Sequence, residues 1–256
     1  MLLKGIYVNR TVYRMLNNKK VFPYLLLAGQ LISMLAVIPM FMFGEVWQWA
    51  ITIAVYCFFM LSITVGYHRL ISHRAFKCPQ WIHNILMVGG GLPFYGPALV
   101  WVANHREHHR YADTAKDPHS PYYRGVLRAY FLQVLSPINF KYVRDLLRKQ
   151  VYRDQVKYYW HFIIGYVLLL AIMDPFAIVY GFLAPAGLSK LFGGLVFTYS
   201  HRGRKAHSDL WVGLVTLGEG FHEEHHKKAS THRWHTLDAG GILIEMIDND
   251  KRTQKA

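Results

Sequence analysis

Residues 21–67 decide the fold, as two runs: VFPYLLLAGQLISMLAVIPMFMF (21–43) and, after Gly44-Glu45, VWQWAITIAVYCFFMLSITVGY (46–67). Neither run holds a charged residue. As a helix the first rises ~34 Å, enough for the ~30 Å hydrocarbon core of a bilayer. It is too long for a cleaved signal peptide, and no small-residue cleavage site follows it. A two-residue connection between such runs leaves room only for a helical hairpin. Further along, Tyr158–Ser200 is long enough for two more crossings, with the turn at Asp174-Pro175 or in Gly181–Gly187 (GFLAPAG). The expected architecture is all-α: one domain, 1–256, with four spans at about 21–43, 46–67, 158–180 and 182–200 in two hairpins. Trp81–Ala103 is also apolar, but His83, Gly89-Gly90-Gly91, Pro93 and Pro97 interrupt it. It is therefore read as an interfacial or re-entrant segment.

Composition fits this reading. Apolar residues make up 53% of the chain and charged residues 17%, which excludes a disordered polymer. A net charge of +14 would point to nucleic acid on a soluble domain. Here, however, every Lys and Arg except Lys190 lies in the N-terminal segment, in 68–157 or in 201–256. An even number of crossings puts all three on one side. The positive-inside rule makes that side cytoplasmic, with both termini and a helical cap on it. Anionic membrane lipids then account for the basicity of Lys227-Lys228, Arg202-Arg204-Lys205 and Arg144-Arg148-Lys149, and no nucleic acid is needed. Docking of an acidic electron carrier, or of the phosphates of an acyl thioester carrier, is the other use for these clusters. Cys57 and Cys78 are too few for a disulfide framework or a cysteine-based zinc site. The polar stretch 249–256 is expected to fray.

Histidine is the outlier, with 15 copies. They cluster as His68-Arg-Leu-Ile-Ser-His73, His105-Arg-Glu-His108-His109 and His222-Glu-Glu-His225-His226, with His201 closing the last apolar block. By chance H-x-x-H-H should occur about 0.05 times in such a chain. On a helix, i, i+3 and i+4 share one face, so each of these two boxes is expected to aim three imidazoles at one point. His68 and His73 stand ~140° apart on an ideal α-helix and are expected to straddle the end of the second span. Nine imidazoles are too many for one ion and ample for two. Nitrogen-rich sites without thiolate fit a diiron centre that activates oxygen. Dizinc hydrolysis stays open, with Glu107, Glu223 or Glu224 as general base. A transporter would place its ligands midway along the spans, whereas these lie at span ends. His83, His161 and His207 are expected to be interfacial or structural, and His232 and His235 to be solvated.

The boxes with their surroundings, GYHRLISHR, HREHHRYADTAKDPHSP and GEGFHEEHH, resemble those of the membrane-bound fatty acyl desaturases, of the stearoyl-CoA or delta-9 type. The resemblance runs from about Tyr67 to Ile244. It implies that His68, His73, His105, His108, His109, His201, His222, His225 and His226 bind two iron ions. It implies that Trp101 lines an acyl channel, whose wall the 89–97 segment also borders. Asp113 and Asp117 then orient ligand imidazoles, with His119 and Glu219 as further supports. The implied reaction is O₂-dependent introduction of a cis double bond, at the delta-9 position, into a saturated long-chain acyl substrate. The acyl carrier is CoA, a carrier protein or a lipid, and the electron donor ferredoxin or cytochrome b5. Membrane hydroxylases and ketolases acting on carotenoid, sterol or alkane share the histidine boxes and remain the alternative. Phe197 stands where the family usually has an asparagine that helps to hold a water on one iron. The third box has Glu223 and Glu224 where Asn-Asn is common, which is expected to put two carboxylates beside the ligands. Without a long N-terminal extension or a haem-binding segment, the chain resembles the compact bacterial form.

Overall fold

The computed structural model describes residues 2–3, 6–7 and 21–248; the 249–256 tail lies outside the described residues. Apart from a two-residue pairing of Leu2–Leu3 with Ile6–Tyr7 and an isolated bridge between Ser208 and Phe221, the regular structure is helical. Helix α1 spans Phe22–Phe43 with Pro23 in its first turn, where a missing N–H costs nothing. Gly44 and Glu45 separate it from α2, Val46–Leu61. The Glu45 amide donates to Gln48 Oε1 at 2.9 Å while the Glu45 carboxylate caps the backbone in return, a reciprocal cap that starts α2 sharply. α2 runs directly into a π-helix, Ser62–His73.

The interrupted apolar segment becomes two helices, α3 (Gln80–Gly91) and α4 (Ala98–Tyr111). Phe94 and Gly96 reverse the chain between them with φ of 61° and 83°. Gly89 and Gly90 let α3 press against Ser62 and Tyr67, where a Cβ would collide. They therefore close a helix contact; of the 89–97 segment, Tyr95 reaches the pocket described below.

α5 spans Gln150–Met173 and α6 spans Ala184–Thr198, led in by a π turn at Val179–Leu183. The turn between them lies at Asp174-Pro175, where the Phe176 amide donates to Asp174 Oδ1 at 3.0 Å and proline cannot continue the helix. GFLAPAG is helical, because Pro185 falls in the first turn of α6. These edges differ from spans at 158–180 and 182–200. α5 starts in the polar stretch Gln150–Lys157, whose Tyr152, Gln155 and Val156 are buried, and hydropathy alone does not register such a beginning.

Four stretches are long and apolar enough to cross a membrane: Phe22–Phe43, Val46–His73, Gln150–Met173 and Val179–Arg204. Their outward faces are apolar, as with Phe41 at 75% and Ile172 at 84% exposure, the reverse of a water-soluble surface pattern. α1 and α6 meet closely enough that a Cβ on Gly187 would strike the Ser33 carbonyl oxygen. Gly187→Leu is expected to destabilise the protein by about 1–3 kcal/mol through overpacking, read as thermal unfolding in detergent. Gly165→Ala, which has open space around its Cβ, is expected to be neutral or slightly stabilising.

Candidate metal centre

The local backbone decides where each imidazole goes. A π-helix winds more slowly than an α-helix, with i→i+5 hydrogen bonds, so His68 and His73 fall closer to one side instead of straddling a helix end. Their ring centroids are 5.0 Å apart. In α4 and in a short helix, α7 (His222–Lys227), the boxes do not aim all three rings at one point. His105 and His109 turn to one centre and His108 to the other; His222 and His226 turn to the second and His225 to the first. Each H-x-x-H-H thus gives its i, i+4 pair to one centre and its middle histidine to the other, in opposite senses. His201 leaves α6 through an irregular turn, with φ −113° and ψ 23°, and joins the second centre.

The result is two groups, five imidazoles (His68, His73, His105, His109, His225) and four (His108, His201, His222, His226). Within each, one ring nitrogen per residue lies within 4.8 Å of all the others. In the first, Nε2 to Nε2 distances are 2.8 Å for His73–His105, 3.0 Å for His68–His225 and 2.7 Å for His225–His109. In the second they are 2.8 Å for His201–His222, 3.1 Å for His222–His226 and 3.3 Å for His108–His226. An ion bound at ~2.1 Å sets neighbouring nitrogens ~3.0 Å and opposite ones ~4.2 Å apart. The donor sets therefore fit one nitrogen-liganded ion each.

The outer nitrogens carry the same message. His68 Nδ1–H donates to Glu219 at 2.7 Å, His108 Nδ1–H to Asp117 at 2.9 Å and His201 Nδ1–H to Asp113 at 3.1 Å. A carboxylate on Nδ1 fixes the tautomer that leaves the Nε2 lone pair facing inward. Burial, reinforced by neighbouring imidazoles, pushes His105, His108, His222 and His225 far below the usual histidine range. His226 falls to about 3 and His119 to about 4, again chiefly through burial. Burial raises Asp117. At Glu219 burial also pushes upward, but the adjacent His68 and Arg69 outweigh it and hold the carboxyl below its ordinary range. His105, His108, His222, His225 and His226 are thus neutral at pH 7, the form that binds metal.

A buried ion pair supports the first centre. Arg69, beside His68, donates to both oxygens of Asp238 at 3.0 and 2.9 Å, and to Thr64 Oγ1 at 3.0 Å. Its guanidinium lies 3.8 Å over Trp234, whose ring packs on His68 and His225 at 5.3 and 4.5 Å. Arg106, inside the second box, donates to the carbonyls of Ile71, Ser72 and Tyr142 at 2.8–3.0 Å and so ties that box to the first. Sequence reasoning missed Arg69, Asp238, Trp234 and Arg106. Each is an ordinary residue in a short stretch, and only the long-range fold pairs them.

Other expectations are corrected. Glu223 pairs with Lys227 at 2.8 Å, Glu224 accepts from Ser208 and Glu107 accepts from Asn139 at 3.1 Å. The bonds these carboxylates make are directed away from the imidazole groups, so Glu223 and Glu224 do not join the ligand clusters. His232 is buried near Glu245 and so is not solvated, whereas His235 is exposed as expected, with one ring face on Phe221 at 4.3 Å. His83 bonds the Tyr152 hydroxyl at 2.9 Å. Trp101 stacks on His105 at 4.7 Å and lines a pocket with Tyr95, Val100, Asn104, Val134 and Phe197. Phe197 packs on His119 at 5.4 Å, and the His119 amide donates to Asp117 at 2.8 Å.

A family model for fatty acid desaturases matches residues 44–251. The chain belongs to the fatty acid desaturase family. Among its relatives is the sn-1 stearoyl-lipid 9-desaturase of Anabaena variabilis, 28% identical over 73% of this chain and 75% of that one. The sn-2 palmitoyl-lipid 9-desaturase of Nostoc sp. (strain 36) is 31% identical over 65% of this chain and 64% of that one. Another relative, from Arabidopsis thaliana, carries the name "Probable lipid desaturase ADS3.2, chloroplastic"; it is 29% identical over 73% of this chain, which spans 57% of its length.

Two outcomes follow from this geometry. Glu219→Gln, which weakens the acceptor on His68, is expected to lower metal affinity about 10–100-fold in competition with a chelator, with little change in helix content. In metal-free protein the buried imidazoles stay neutral when folded, but in the unfolded chain they take protons near their ordinary pKa of 6.5. Stability is therefore expected to be level above pH 6.5 and to fall as pH drops from 6.5 toward about 4. A melting temperature that stays flat across that window contradicts the buried, neutral assignment.

Proposed function

We propose that this protein is an O₂-dependent diiron desaturase that introduces a cis double bond, at the delta-9 position, into a saturated long-chain acyl group. Membrane lipid is the preferred acyl carrier. The observation that carries the reading is the gathering of nine imidazoles into two groups beside a small pocket bordered by Trp101, Val134 and Phe197. The names of the Anabaena and Nostoc relatives support lipid-bound acyl chains and the ninth position. An acyl-CoA C20 Delta5-desaturase of Anemone leveillei is 25% identical over 93% of this chain, which keeps acyl-CoA as the second carrier.

In this reading His68, His73, His105, His109 and His225 hold one iron, and His108, His201, His222 and His226 the other. When bound, the pair supplies the oxidising chemistry that takes two hydrogens from adjacent methylenes. O₂ goes to two waters with two electrons from substrate and two from a donor such as ferredoxin or cytochrome b5. No side-chain acid or base breaks such a C–H bond, so the chain's own work is positioning. Glu219, Asp117 and Asp113 hold three imidazoles in register. Trp101, locked on His105, walls the acyl pocket and keeps water from it.

The topology proposed with this function has two helical hairpins, a cytoplasmic cap of 68–157 and 201–256, and both termini cytoplasmic, supported by the basic residues at one end of the spans. The test is anaerobically purified, iron-loaded protein given a saturated acyl lipid, O₂ and reduced ferredoxin, with products read by mass spectrometry. Loss of two hydrogens is the expected outcome. Gain of one oxygen assigns the protein to the hydroxylases, and no product with iron in place rejects both.

A further inference from the structure

Away from the metal centres, a groove opens at the membrane-facing end of two spans. It is formed by the last turn of the π-helix, the 74–80 loop and the start of α5. One side of it is apolar, with Leu70, Phe76 and Val151; the other carries Arg74, Lys77 and Lys149. Arg74 and Lys77 come from the 74–80 loop and Lys149 from the residue before α5, so the fold brings together two segments about 70 residues apart in sequence. Arg74 lends one arm to Asp145, whose other oxygen takes Arg106 at 2.9 Å. Asp248 accepts from the Lys77 amide at 3.2 Å. Among the described residues, the cations Arg74, Lys77, Lys149 and the adjacent Arg106 face the carboxylates Asp145 and Asp248, which leaves the groove positive. The Lys149 ammonium pairs with no carboxylate among the described residues.

An apolar floor and a cationic rim at the level where spans leave the bilayer match a lipid with a charged phosphate. A soluble anion has no use for the floor. We propose that the groove binds an anionic glycerophospholipid, with its phosphate among Arg74, Lys77 and Lys149 and one acyl chain along Leu70, Phe76 and Val151. Arg74 follows His73 in sequence, so the bound lipid braces the first histidine box from outside. This rests on the membrane placement above and not on the reaction catalysed.

The test uses full-length, iron-loaded protein in detergent, offered equal amounts of phosphatidylglycerol and phosphatidylcholine with the same acyl chains and read by native mass spectrometry. Phosphatidylglycerol is expected to be preferred about tenfold or more. The double variant Lys77→Gln/Lys149→Gln should lose most of that preference, Lys77→Arg/Lys149→Arg should keep it, and Lys116→Gln, which removes an exposed charge elsewhere, should leave it unchanged. No preference in the wild type overturns the proposal. Equal loss in the double variant and in Lys116→Gln overturns it too, by reducing the effect to diffuse attraction. If the double variant does not fold, wild-type competition decides. Phosphatidylglycerol should displace a fluorescent analogue that millimolar inorganic phosphate does not, and displacement by phosphate alone refutes a lipid site. Desaturation assayed in the same samples separates the two claims: a preference without product leaves the groove standing and rejects the reaction.

Discussion

Nine imidazole lone pairs facing one another across 2.7–3.3 Å form an arrangement that pure protein would not choose. Two neutral acceptors at that distance repel, and protonation to relieve the repulsion is blocked by burial. A cation at each focus turns the repulsion into coordination. Most of the surrounding structure serves that constraint. The π-helix swings His68 and His73 to one side, the two H-x-x-H-H boxes divide their rings in opposite senses, and three carboxylates fix ring orientation.

Around this lies a second layer that holds distant parts of the chain at the same place. Arg69 and Asp238 are both fully buried, and removing one partner of such a pair costs about 3–5 kcal/mol because the other charge is stranded. Trp234 fills the space between that pair and the His68 and His225 rings. Arg106 spans from the second box to the carbonyls that end the first. Metal binding and tertiary folding are therefore coupled, since the ligands come from four segments that nothing local brings together.

The four apolar helices and the membership of the histidine clusters were legible in the sequence, because hydropathy and residue spacing are local properties. How the rings are shared was not. An α-helical template sends i, i+3 and i+4 to one point and separates i from i+5, yet the π geometry of 62–73 and the slight divergence of His108 and His225 from their neighbours reverse both readings. Glu223 and Glu224 look like site carboxylates by proximity in sequence, but Lys227 and Ser208 turn them away. Asp174-Pro175 and GFLAPAG were equally good turns on composition. Tertiary packing chose the first, because a proline in the first turn of a helix breaks nothing. Arg69, Asp238 and Trp234 left no local sign at all.

The most direct measurement is metal content per chain, in the wild type and in single variants, after anaerobic purification with iron. Two irons are expected in the wild type. Replacing His225, the one ring that the third box gives to the five-histidine group, should bring the count to about one. Replacing both His222 and His226 should empty the other centre instead. A wild type that takes up a single ion, or a His225→Ala protein that still holds two, would contradict the shared arrangement of the boxes on which the account depends.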